Sequence, residues 1–202
     1  MNSASEKIID LYERHAADWV ADRTSQGVLF EKSWLDRFVG LLPKAGAVLD
    51  IGCGSGQPIG DYMIAQGYEI TGVDSSPSLI ARCAARQPHH HWQVADMRKL
   101  ALGKRFAGLI AWDSFFHLSP DDQRKMFPVF RAHAASGAPL LFTSGPQHGE
   151  AIGNFRGEPL YHGSLDTAEY RALLVANDFS VIAHVVEDPT CGQHTVWLAR
   201  QK

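Results

Sequence analysis

The sequence predicts an α/β fold: a doubly wound sheet of seven strands, mostly parallel, with an antiparallel last strand. Three observations carry that prediction. Between Ala47 and Thr143 short apolar runs alternate with stretches of helical periodicity, the pattern of right-handed βαβ crossovers covering a parallel sheet on both faces. A glycine-dense loop, Gly52-Cys53-Gly54-Ser55-Gly56, directly follows the first run. The last two runs, Phe179 to Glu187 and His194 to Ala199, are joined by six residues, Asp188 to Gln193. Parallel neighbours need a crossover of about a dozen residues or more, so this pair must return antiparallel.

The elements follow in order. Ile8, Leu11, Tyr12, His15 and Trp19 recur at helical spacing as one amphipathic stripe, and Phe30, Trp34, Leu35, Phe38, Leu41 and Leu42 form a second that stops at Pro43. Ala47 to Ile51 is the first strand; its helix is opened by Pro58 and closed at Gly67. Glu69 to Val73 is the second, with a helix starting at Ser76-Pro77, a cap followed by a first-turn proline. Trp92 to Ala95 and Phe106 to Trp112 are the third and fourth. Ser119-Pro120-Asp121-Asp122 opens a helix that Pro128 is expected to kink. Pro139 to Thr143 is the fifth strand. Residues 144–165 read as a long loop, and that length points to a substrate-covering or otherwise functional segment; it holds His148, Glu150, Arg156, Glu158, Tyr161 and His162. Asp166-Thr167-Ala168-Glu169 then starts the last helix with a capping pattern. One domain over 1–202 is expected, with a helical N-terminal segment (1–43) and an α/β core (46–200).

Composition narrows the function. The 202 residues are 45% hydrophobic and 20% charged, as in an ordinary soluble protein. Lys plus Arg number 19 against 22 for Asp plus Glu, with no basic block, so nucleic acid is not the expected partner. Cys53, Cys83 and Cys191 show no metal-ligand spacing and read as reduced thiols. His89, His90 and His91 read as a solvated loop, and no metal site is expected. No signal peptide is visible and no apolar run nears the ~18 residues of a membrane span. A cytoplasmic protein is expected, without a membrane partner, as monomer or homodimer.

The chemistry concentrates at the strand ends. Asp50, Asp74, Asp96 and Asp113 stand at the carboxyl ends of the first four strands, where open α/β sheets bind ligands. A dinucleotide pyrophosphate wants helix N–H groups and no neighbouring carboxylate, yet Asp50 stands two residues before Gly52, and position 57, the third glycine of a dinucleotide loop, is Gln. S-adenosylmethionine (SAM) has no phosphate; it carries a ribose diol, an adenine, an ammonium and a sulfonium, all of which suit carboxylates. Asp74 can accept from both ribose hydroxyls, Asp96 from the adenine amino group, and Asp50 lies toward the ammonium end.

At these residues the chain resembles the class I SAM-dependent methyltransferases, over roughly residues 46–200. LDIGCGSG looks like their glycine motif, ITGVDSS their ribose acid, VADMR their adenine acid and LIAWDSFFHL their fourth motif. The resemblance implies a Rossmann-like methyltransferase fold with SAM as cofactor. It implies that Gly52, Gly54 and Gly56 approach the methionine portion, Asp74 with Ser75 the ribose, and Asp96 with Met97 the adenine. It also implies an N-terminal helical lid, through which Tyr12, Trp19 and Arg23 face the cofactor.

Second readings stand beside these. The Tyr12–Trp19 stripe also reads as core packing, Asp96 as a turn former or cap, and Asp113 as a cap or ion-pair partner instead of a ligand near the sulfonium. His117, four residues past Asp113, is either a general base for the acceptor's proton or a loop histidine bonded to backbone. The stretch Asp113-Ser114-Phe115-Phe116 lacks the prolines of amino-methylating DNA enzymes, and no cysteine stands where cytosine-C5 enzymes need one. A small-molecule methyl acceptor is therefore the leading reading. Methylation of protein or RNA is the alternative, followed by an NAD(P)-dependent oxidoreductase, for which only Gly54-x-Gly56-x-x-x-Gly60 speaks.

Overall fold

A computed structural model describes residues 4–25 and 27–202; Met1–Ser3 and Gln26, within the expected lid segment, lie outside the described residues. The N-terminal stripe forms two helices, α1 (Ile8–Arg14) and α2 (Ala16–Ser25). The one uniform helix its spacing predicts is interrupted at His15, whose φ of −107° and ψ of 21° leave the helical region. There the His15 ring pairs with Glu158, far along the chain. α3 (Lys32–Val39) precedes β1 (Ala47–Ile51), α4 (Ile59–Ala65), β2 (Glu69–Asp74), α5 (Pro77–Arg86), β3 (His91–Val94) and β4 (Gly108–Ala111). A short 3-10 turn, Phe115–His117, leads to α6 (Pro120–His133), β5 (Pro139–Ser144), β6 (Gly149–Phe155), β7 (Glu158–Ser164), α7 (Thr167–Ala176), β8 (Phe179–Asp188) and β9 (His194–Gln201).

The main sheet has seven strands in the order β3-β2-β1-β4-β5-β9-β8. The first five are parallel, and β9 runs antiparallel between β5 and β8, as the short final connection requires. Strand residues alternate between two apolar layers. Leu49, Leu109, Phe142 and Trp197 face a core with Phe115, Phe127, Phe130 and Tyr170. Val48, Ile110, Leu141 and Leu198 face Trp34, Leu35, Phe38 and Met63 on the other side. The period-2 alternation is what buries both faces of the sheet. α6 continues through Pro128, with Met126, Phe127 and Phe130 buried around it.

Residues 144–165 differ from expectation. They form a second, two-stranded sheet, with β6 paired to β7 in the register Phe155↔Glu158 through Gly149↔Ser164. Arg156 (φ 53°) and Gly157 (φ 85°) make the turn; positive φ at both positions matches the right-handed twist of a hairpin. β6 is exposed at all but its last residue, so no alternation betrays it in sequence. His90 and His91 are not a free loop either: the Ile70 N–H donates to His90 Nδ1 at 3.2 Å, and His91 begins β3. Among the described residues no helix is long and apolar enough to cross a membrane, and no cluster suits a metal ion.

Candidate active site

The parallel strands bring the carboxyl ends of β1, β2, β3 and β4 side by side, and the cavity opens there. It has about 740 Å³ of space, part of it open to solvent. Gly52 and Gly54 form its floor, with Asp74 and Ser75 from the end of β2, Asp96 and Met97 after β3, and Asp113 and Ser114 after β4. Ile8, Ile9, Tyr12 and Trp19 line it from α1 and α2. The glycines are required by space as well as by φ. A Cβ on Gly52 (φ +75°) would stand 2.2 Å from that of Ser114, and one on Gly54 (φ +55°) 2.3 Å from the Trp19 ring.

The roof is fastened at both ends. Glu13 of α1 accepts from the Ser76 and Ser78 hydroxyls at 2.5 Å and from the Ser78 N–H at 3.1 Å, placing a carboxylate at the N-terminus of α5, where the helix dipole favours it. These bonds hold the Glu13 carboxyl below its ordinary range. On the other side the hairpin clasps the helices: Glu158 meets Arg14 at 2.5 Å and His15 at 2.7 Å, and Arg156 meets Asp22 at 2.7 Å.

Residues 48–137 match the family model of a methyltransferase domain. Solved structures share the architecture. CalS10, an amino pentose methyltransferase from Micromonospora echinaspora with SAM bound, is 18% identical, with a TM-score of 0.72 over 91% of this chain and 96% of that one. The 1,6-didemethyltoxoflavin-N1-methyltransferase of Burkholderia thailandensis is 19% identical, with a TM-score of 0.71 over 100% and 92%. The glycopeptide N-methyltransferase MtfA in complex with S-adenosylhomocysteine is 19% identical, with a TM-score of 0.69 over 85% and 90%. At such identities the likeness speaks for the fold. No curated protein matches the sequence.

At the cavity Asp74 bridges two elements. Its Oδ2 accepts from the Gly54 N–H and its Oδ1 from the Ser76 N–H, both at 2.9 Å. Burial raises its pKa in spite of those bonds. Asp96 caps the short turn after β3, accepting from the Arg98 N–H at 3.0 Å, and is forked by the Arg98 guanidinium at 2.6–3.0 Å. Burial opposes ionisation there, and Arg98 more than offsets it, leaving the carboxyl below its ordinary range.

Tyr12 and His117 meet over the cavity. The Tyr161 carbonyl lies 2.8 Å from His117 Nδ1 and the Tyr12 hydroxyl 2.8 Å from Nε2. A carbonyl can only accept, so Nδ1 carries the proton and the neutral ring's Nε2 accepts from Tyr12. Burial pushes the His117 pKa down to about 4, against the Tyr161 bond, so neutral is the resting state.

Three expected cofactor residues stand off the cavity. Arg23 pairs with the fully buried Glu31 and lies 5.1 Å over the Phe30 ring. Asp50 sits inside the sheet between Gly72 and Ile110; burial, then the nearby Asp74 charge, raises its pKa to about 7. Gly56 does not line the cavity, and a Cβ on it would touch Trp92 at 3.0 Å. Conversely, Arg98, Ser114 and Leu118 line the cavity without having been singled out in sequence. Behind the cavity Asp113 pairs with His194, 81 residues on, at 3.0–3.1 Å. The motif spacing around Asp113 holds no signal for a partner on a distant strand.

Proposed function

We propose that the protein transfers a methyl group from SAM to a small-molecule acceptor. The observation that carries this reading is the charge of the cavity. Among the described residues lining it, Asp74, Asp96 and Asp113 are acids, and the one fixed cation, Arg98, is spent on Asp96. A pyrophosphate would find no counter-charge there, whereas a cationic cofactor would. The roof of Ile8, Ile9, Tyr12 and Trp19 fits an acceptor of modest size better than a protein or RNA surface.

When bound, SAM supplies a methyl group already activated by its positive sulfur. The chain's task is then orientation and the exclusion of water. Asp74 keeps lone pairs beyond those given to Gly54 and Ser76, and these would take the ribose hydroxyls. Gly52 and Gly54, packed against Ser114 and Trp19, would border the methionine portion, and Leu79, Ala95 and Met97 would hold the adenine. Asp96 is saturated by Arg98, so it would shape the adenine end more than bond it. His117 would keep Tyr12 seated over the cavity as a positioning residue, because its lone pair is taken and its pKa is low. A base is needed only where the nucleophile must lose a proton.

Calorimetric titration of the full chain with SAM and with NADPH tests this reading. Binding of SAM, no heat from NADPH, and release of S-adenosylhomocysteine in a metabolite screen are expected. NADPH binding without SAM binding would overturn it.

A further inference from the structure

Because β9 runs antiparallel beside β5, its first residue reaches the same edge as the ends of β4 and β5: Thr195 is in register with Ser144. His194 therefore lies beside Asp113. Its Nδ1 is 2.7 Å from the Cys191 carbonyl and its Nε2 is 3.0–3.1 Å from the two Asp113 oxygens. A carbonyl and a carboxylate both accept, so both ring nitrogens must donate and the ring is an imidazolium. Phe30 and Trp112 stack on it, with ring centres 5.4 and 5.5 Å away and planes inclined by 24° and 31°, faces that favour a cation. Burial opposes the charge, but the Asp113 bond outweighs it and raises the His194 pKa.

Asp113 itself is unusual. It holds φ at +48°, a conformation few non-glycine residues adopt and one that concentrates at functional positions. Thr143 Oγ1 accepts from its N–H at 2.9 Å and donates to Oδ1 at 3.3 Å. The carboxylate is thus pinned between the cavity, which it lines, and a protonated histidine behind it.

We propose that Asp113 reads the charge on the cofactor's sulfur, and that His194, its positioning residue, gives up a proton when the charged methyl donor loads. This rests on SAM being the cofactor. Two cations would then share one carboxylate: a positive sulfur in the cavity draws on the Asp113 charge and weakens its hold on the imidazolium proton, which passes to solvent. Coupling is reciprocal, so a protonated His194 weakens the binding of SAM. S-adenosylhomocysteine has the same ammonium, carboxylate, ribose and adenine but an uncharged sulfur, so it leaves His194 protonated. Only the donor's affinity is thereby tied to the protonation of His194. The other ionisable groups around the ring are Glu31 with Arg23 from the α2–α3 side, and Asp188 and Cys191 from the β8–β9 turn. Glu31 and Arg23 are paired to each other, Asp188 accepts from Trp34 and Thr190, and burial pushes the Cys191 thiol up to about 12. None of them faces the cavity.

The test is calorimetry of the full chain with SAM and with S-adenosylhomocysteine, in phosphate and in Tris at one pH. A shift of ~1 unit in the His194 pKa, centred on the working pH, releases about half a proton per SAM. S-adenosylhomocysteine should release none beyond what both ligands share. Affinity for SAM should rise up to ~10-fold as pH increases through the His194 titration, while that for S-adenosylhomocysteine stays flat. His194→Gln should bind SAM with neither the extra proton nor the pH slope. If that variant fails to fold, NMR titration of the wild-type His194 ring, alone and with each ligand, reads the same shift. Equal release with both ligands, no release on SAM binding, or release that survives in His194→Gln would each refute the proposal. Absence of SAM binding would instead refute the cofactor reading, and this proposal with it.

Discussion

Replacing Asp74 with alanine separates the ligand role of this carboxylate from its structural one. The side chain accepts two backbone N–H groups, from Gly54 in the glycine loop and Ser76 at the start of α5, each at 2.9 Å. Removing it orphans both donors, and an unsatisfied buried amide costs about 1–3 kcal/mol. Gly54 lines the cavity, where water can partly replace the acceptor, so about 2 kcal/mol of total destabilisation is expected. Loss of a charge-assisted bond to a ribose hydroxyl, worth ~1.5–3 kcal/mol, should weaken SAM binding about 10- to 150-fold. Urea unfolding of the ligand-free chain measures the first effect and calorimetric titration the second. Asp74→Asn keeps one oxygen and should recover part of the stability while losing most of the affinity. An unchanged dissociation constant in a folded Asp74→Ala protein would refute the ribose assignment.

Deleting residues 1–22 removes Tyr12, Trp19 and Glu13 but none of the side chains in the two layers flanking the sheet. A folded product with at least ~10-fold weaker SAM binding is expected by circular dichroism and calorimetry, and an unfolded one would show that the segment is core. Glu13→Ala breaks the tie between α1 and the N-terminus of α5, so a few-fold faster SAM release is expected by stopped flow, and an unchanged rate would show that the latch does not hold the roof. His117→Ala loses bonds to Tyr12 and Tyr161 and should lower the melting temperature while turnover stays within a few-fold; a loss of ~10²–10⁴ with intact SAM binding would make His117 a base after all. The pH dependence follows from the same ring. The folded pKa of about 4 lies below the unfolded value near ~6.5, so the folded state forgoes a proton that the unfolded chain takes up. Its contribution is present above pH ~6.5 and is lost as pH falls toward 4, on the order of 3 kcal/mol. Urea midpoints should therefore fall less steeply with acid in His117→Ala than in wild type, and parallel curves would contradict the buried neutral ring.

Local pattern was enough for the frame of this protein. Short apolar runs, the Ser76-Pro77 and Ser119-Pro120 caps and the six-residue final connection depend only on neighbours in sequence, and the seven-stranded sheet followed from them. The glycine loop and the acids after β2, β3 and β4 were legible for the same reason: parallel topology places every strand's carboxyl end on one edge. Other features depend on what lies across that edge. Asp50 and Gly56 share the motif with Gly52 and Gly54 but point into packed surroundings, and Arg23 is drawn to the buried Glu31 instead of the cavity. The β6–β7 hairpin has an exposed first strand and an Arg-Gly turn, so neither alternation nor a strong turn signal announces it. Yet it clasps α1 and α2 through charges more than 130 residues apart in sequence. The Asp113–His194 pair exists only because an antiparallel strand returns beside β5. Sequence periodicity reports which face of an element is buried; tertiary structure decides which distant group meets it, because contact at 3 Å between remote residues leaves no trace in local spacing.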